Sequence, residues 1–106
     1  MDNKVLRESK IAKALSSESR LLLLDWLREP ERHFQNRLQW PRRRKVVATK
    51  NIQQKWNVGN LTTMKHIGIL KAAGLITVER HNRLQWISRN TAGIAAARTA
   101  GHLYVR

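Results

Sequence analysis

NVGNLTTMKHIGILKAAGLI, residues 57–76, carries apolar side chains at helical spacing and ends in a glycine. Asn57-Val58-Gly59 makes a turn, and a helix is predicted from Asn60 to about Ala73. Ile67 and Leu70 are its core candidates, with Thr63 or Met64 beside them. Gly74 is placed to close it as a left-handed residue. The front of this helix is small and polar, so it is shaped to project outward, while its rear is apolar enough to dock. Such a front fits a DNA major groove, which is about 12 Å wide.

The segments around it extend the pattern. A short helix from Lys50 to about Trp56 precedes it, with Ile52 and Trp56 four apart on one face. After Gly74 the period changes. LITVERHNRLQWIS alternates as a two-stranded hairpin, about Leu75–Arg80 and Arg83–Ser88, around the turn His81-Asn82-Arg83. Two short helices, a tight turn and a following hairpin make a helix-turn-helix with a wing.

Further out, a helix is expected from Asn3 to Leu15, with Val5, Leu6, Ile11, Ala12 and Leu15 as one stripe. Ser17 is a plausible cap for the next helix, Glu18 to about Glu29, whose LLLLDWL implies burial. Pro30 fits its end. From Pro30 to Thr49 no period holds, and the run Arg42-Arg43-Arg44-Lys45 lies there. That run has two readings of equal standing, a clamp on flanking DNA or a loose basic loop. Asn90 can cap a last helix through Ala100. No repeat or low-complexity segment organises the chain.

The chain has 106 residues, 42% of them apolar, which suits one domain with a modest core. Twenty-one lysines and arginines against seven acids give a formal charge of +14. That balance favours a polyanionic partner and salt-sensitive binding. No run reaches the roughly 18 apolar residues of a membrane span, and MDNKVLRESK lacks the apolar core of a signal peptide. A soluble, cytoplasmic protein is expected. With no cysteine, neither disulfides nor thiolate metal sites are available. Nucleophile elbows, phosphate loops and paired carboxylates are missing, so nothing points to an enzyme.

The segments ALSSESR and GNLTTMKHIGILKAAGLITVERHNRLQWISR, with His66, Leu70 and Ala73-Gly74-Leu75, resemble the ArsR-type winged-helix transcriptional repressors. The likeness runs from about Lys50 to Ile94 and from Ala14 to Phe34. It implies a mainly helical α+β winged helix-turn-helix, about five helices and a two-stranded wing, spanning residues 1–106. It also implies a homodimer through the first and last helices, with recognition helices in successive major grooves of a palindromic operator. A charge at Leu103 or Tyr104 is then expected to split the dimer. His66 matches a family histidine that packs and hydrogen-bonds locally.

This sequence departs from the family at its recognition helix. Gly59 lacks a capping hydroxyl, Thr63 stands where an aliphatic residue is usual, and Leu61 and Met64 replace polar groove residues. Gly68 costs about 1 kcal/mol in a helix interior. The family's cysteine segment would fall near Val46–Ile52, which has no ligand-type side chain, so no metal or other cofactor is expected. No effector can be named.

The expected contacts with double-stranded DNA are Asn60, Leu61, Thr62, Met64 and Lys65 at the helix front, then Lys71. Arg80, His81 and Arg83 in the wing are phosphate or minor-groove candidates. Asparagine can pair bidentately with adenine, and Leu61 or Met64 can meet a thymine methyl. Lys50, Lys55 and Lys71 are weaker phosphate candidates. The rival function is a winged helix that binds nucleic acid without sequence preference, or binds protein.

Overall fold

The computed structural model describes residues 3–102 and 105. Leu103 and Tyr104, named above for the dimer, lie outside the described residues. In chain order the elements are α1 (Asn3–Leu15), α2 (Glu18–Trp26), α3 (Pro30–His33), β1 (Val47–Ala48), α4 (Thr49–Trp56), α5 (Asn60–Ala72), β2 (Ile76–His81), β3 (Leu84–Arg89) and α6 (Thr91–Thr99). The helix-turn-helix is α4–α5 and the wing is β2–β3.

Local chemistry sets the helix ends. Ser17 caps α2, its hydroxyl accepting from the Arg20 N–H at 3.4 Å, and Asn90 caps α6, accepting from the Gly93 N–H at 3.1 Å. Asn57 closes α4 in the left-handed region, at φ 56°. Gly74, at φ 74°, closes α5. There the Leu75 N–H reaches the Leu70 carbonyl at 3.1 Å and the Gly74 N–H reaches Lys71 at 2.9 Å, the paired bonds of a Schellman end. Thr63 is fully buried, and its hydroxyl donates to the Gly59 carbonyl at 3.0 Å. The hydroxyl that stands in for an aliphatic group therefore has its partner within the helix.

Four expectations need correction. First, α2 stops at Trp26, and Pro30 starts α3 instead of ending α2. Proline is tolerated in a first helical turn, where no N–H is required. Second, the sheet has three strands in the order β1-β3-β2, because Val47 and Ala48 pair with Ile87 and Trp86. Third, the hairpin loop is Asn82–Arg83 alone, at φ 52° and 64°, and His81 belongs to β2. Two positive φ values give the turn whose twist matches a hairpin. Fourth, the stripe on α1 is split: Ile11 and Leu15 face the core with Ala14, whereas Val5, Leu6 and Ala12 are exposed. At 100° per residue those three fall away from the Ile11–Leu15 side.

The main core gathers Leu23, Leu24 and Leu27 of the α2 segment, Ile52 of α4, Ile67 and Leu70 of α5, and Ile87 of β3. Each such side chain, fully buried, contributes about 1.5–3 kcal/mol. A second, smaller cluster of Val46, Ala48 and Trp86 lies on the other face of the sheet, with Trp40 and Leu84 against it. The core thus holds the rear of α5 and leaves its front free.

Candidate nucleic-acid interface

Thr63, Ile67 and Leu70 are the buried positions of α5. They occupy one side of a 3.6-residue helix, so the opposite sides must face outward. Asn60, Leu61, Thr62, Met64 and Lys65 are all exposed, Leu61 at 85%. Asn60, Met64 and Lys71 lie along one edge, and Leu61, Lys65 and Gly68 along the next. Lys71 is exposed but stands in the last turn, about 16 Å along the axis from Asn60 at 1.5 Å per residue. No side chain caps α5 at Gly59. Its first amides therefore remain available to an oxyanion, and the helix dipole adds to their pull.

Two groups hold this helix from behind. Arg20, only 8% exposed, donates from Nε to the Ala14 carbonyl at 2.8 Å and from a terminal nitrogen to the Lys13 carbonyl at 2.8 Å. It thereby closes the C-terminal end of α1. Its other terminal nitrogen lies 2.9 Å from His66 Nδ1 on α5. A guanidinium has no acceptor, so Nδ1 must accept and His66 is neutral there. The His66 ring also packs on Trp56 at 5.0 Å, and the Trp56 indole N–H donates to the Ser19 carbonyl at 2.9 Å. Arg20, His66 and Trp56 together lock α5 to α1, α2 and α4.

Burial, then the charges of Arg20 and Lys65, hold the His66 pKa below its ordinary 6.5. A histidine depressed in the folded state leaves stability intact above pH 6.5 and removes it as pH falls from 6.5 towards the folded value. The expected result is a melting temperature that declines over that window. A His66→Gln variant should show a shallower decline; identical slopes in the two proteins would count against this role.

In the wing, Arg80 and Arg83 are exposed and His81 is half-buried. The His81 ring stacks on Trp40 with centroids 4.1 Å apart and planes 3° from parallel. Lys55, a weaker candidate, has its ammonium 4.9 Å from the Trp26 ring centroid and 5.7 Å from that of Phe34. The Trp40–His81 contact is the feature that sequence reasoning missed. A signal for it exists. Asn-Arg-Leu-Gln-Trp occurs twice, at 36–40 and 82–86, too short to register as a domain repeat. The two tryptophans meet on one face of the sheet, 5.8 Å apart.

Charge is divided along the chain. Residues 1–31 hold six bases and six acids; residues 32–106 hold fifteen bases and one acid, Glu79. The whole excess thus belongs to the segment that carries the basic loop, the helix-turn-helix, the wing and α6. Among the described residues no three His, Asp or Glu side chains converge as metal ligands. No helix among them is long and apolar enough to cross a membrane.

No protein-family model matches the chain. A curated relative does: the uncharacterised HTH-type transcriptional regulator YbzH of Bacillus subtilis (strain 168). It is 35% identical over 85 residues, which are 80% of this chain and 85% of the relative. The chain belongs to the helix-turn-helix transcriptional regulators. Solved structures give its branch of the fold. An ArsR family transcriptional regulator superposes with a TM-score of 0.70 at 17% identity, over 94% of this chain and 88% of the other. HlyU from Vibrio cholerae N16961 superposes at 0.60 and 15% identity over the whole of both chains. This regulator therefore has the ArsR-type winged-helix fold and is a DNA-binding protein by family.

Proposed function

We propose that this regulator is a homodimeric repressor, non-catalytic and cytoplasmic, formed by one domain over residues 1–106, that binds a palindromic operator in double-stranded DNA. The front of α5 carries the proposal: a helix docked by Thr63, Ile67 and Leu70 presents Asn60, Leu61, Thr62, Met64 and Lys65 to solvent. Asn60, Thr62, Leu61 and Met64 read base edges and thymine methyls in the major groove. Lys65, Lys71, Arg80 and Arg83 hold phosphates and set the register. His81 serves the wing from within, as a stacking base for Trp40.

The dimer rests on two outward faces. On α1, Val5 is 51% exposed and Leu6 43%. On α6, Ala92, Ala95 and Ala96 are exposed, and small side chains let helices approach closely. A two-fold pairing would bring two copies of α5 to half-sites about 34 Å apart, one helical turn of DNA.

A second reading, nucleic-acid binding without sequence preference, is favoured by the +14 charge and by the apolar Leu61 at the helix front. Selection of bound sequences from a random duplex pool separates the two, followed by a salt titration on the winner. The repressor reading expects an inverted repeat preferred by about 10³ or more over random sequence. Equal affinity for all duplexes, with one common salt slope, would sink it.

A further inference from the structure

The outer face of the wing sheet is covered, and its cover is basic. Strand alternation and the pairs Glu79↔Trp86 and His81↔Leu84 put these four side chains on one face. Trp40 lies on that face, stacked on His81 and tilted against Trp86. Arg43 pairs with Glu79, and its guanidinium sits 5.4 Å from the Trp40 ring centroid. The Arg43 N–H closes the turn on the Trp40 carbonyl at 2.8 Å. At the far end, Lys45 pairs with Glu31 at 3.2 Å. Residues 40–43 are thus fastened to the wing tip at an aromatic ring and at an ion pair.

The turn so fastened carries Arg42, Arg43 and Arg44, and the hairpin it rests on carries Arg80 and Arg83. The guanidinium groups of Arg42 and Arg44 are exposed and have no ion pair among the described residues, and the same holds for Arg80 and Arg83 on the hairpin. Glu79, the lone acid after residue 31, is taken by Arg43. Three consecutive arginines on a fastened turn, with the neighbouring acid already paired, favour an anionic partner. The cleft between the turn and α3, about 610 Å³, includes Glu31 among its walls. Its other charged walls are Arg37, Arg43, Arg44 and Lys45, the last already paired with Glu31, so the cleft is net basic and Arg42 stands exposed beside it.

We propose that the Trp40–Arg44 turn and the wing hairpin form one composite surface that binds the DNA phosphate backbone beside the sequence read by α5, with Arg42 and Arg44 as its contacts. The proposal rests on the DNA-binding reading above and adds a second element to it. Trp40 positions the turn; the arginines make the contacts.

The test is the salt dependence of binding to the duplex recovered from the random pool. Arg42→Ala/Arg44→Ala is expected to flatten the slope of log K against log salt by about 2, near 0.9 per lost phosphate contact, and to weaken binding about tenfold or more at 0.1 M salt. Trp40→Ala keeps every charge but frees the turn, and should flatten the slope by about 1. Trp40→Phe, which keeps a ring over His81, should restore it. An unchanged slope for the double-arginine variant overturns the proposal. So does a wild-type slope for Trp40→Ala, since a loose basic tail would behave that way. Failure of the wild type to bind any duplex would instead overturn the parent reading, and is distinguishable because it precedes every variant.

Discussion

Replacing Gly93 with alanine is expected to lower the stability of this regulator by about 3 kcal/mol or more, the upper range for overpacking. The first turn of α6 lies against the end of α5. A Cβ at position 93 would stand 1.8 Å from the Gly74 carbonyl oxygen and 2.9 Å from its carbon. Both are backbone atoms, and Gly74 is itself held at φ 74° by the bonds that close α5. Neither side can yield without moving α6 or opening that helix end. Alanine's better helix propensity, about 1 kcal/mol, does not offset the overlap. The melting temperature should fall by roughly 10–20 °C. Gly68→Ala is the internal control. Position 68 is exposed with nothing within 4 Å, so the same substitution should stabilise there by about 1 kcal/mol. A Gly93→Ala protein that melts with the wild type would show that α6 does not pack as described.

The second large effect is on binding. Lys65→Ala combined with Arg83→Ala should flatten the salt slope by about 2 and weaken operator binding roughly 10- to 30-fold at 0.1 M salt. Both residues are exposed and without an ion pair among the described residues. Their removal should therefore leave unfolding within about 0.5 kcal/mol of the wild type. Lys65 stands beside Leu61 on the outward side of α5, and Arg83 occupies the hairpin loop. Loss of affinity with full stability would support this face as the contact surface. Unchanged affinity would move the interface elsewhere on the molecule.

Much of the fold is legible in local sequence, for definite reasons. Helix ends are set by neighbours in the chain: Ser17 and Asn90 cap, and Asn57 and Gly74 take left-handed conformations. The period of 3.6 in residues 60–73 and of 2 in residues 76–89 reports which side of each element is apolar. Those rules locate the helix-turn-helix and the hairpin to within a residue or two. They also place the outward residues of α5, because a side not used for docking must meet solvent.

What lay beyond sequence is what depends on meetings between distant segments. Val47 and Ala48 are too short a run to read as a strand; they become one only when β3 offers them hydrogen bonds. His81 is a candidate DNA contact in the sequence; that Trp40, forty-one positions earlier in the chain, stacks on its ring is seen only in the fold. Arg20 lies within ALSSESR, but its three acceptors, on α1 and His66, come together only in the fold. Periodicity, capping and turn chemistry act over a few residues, so the sequence alone determined the helix-turn-helix, the wing and the charge. Ring stacking, buried hydrogen bonds and edge pairing need partners brought together by the folded core, so tertiary structure alone decided how the basic loop is held and which cations stay free.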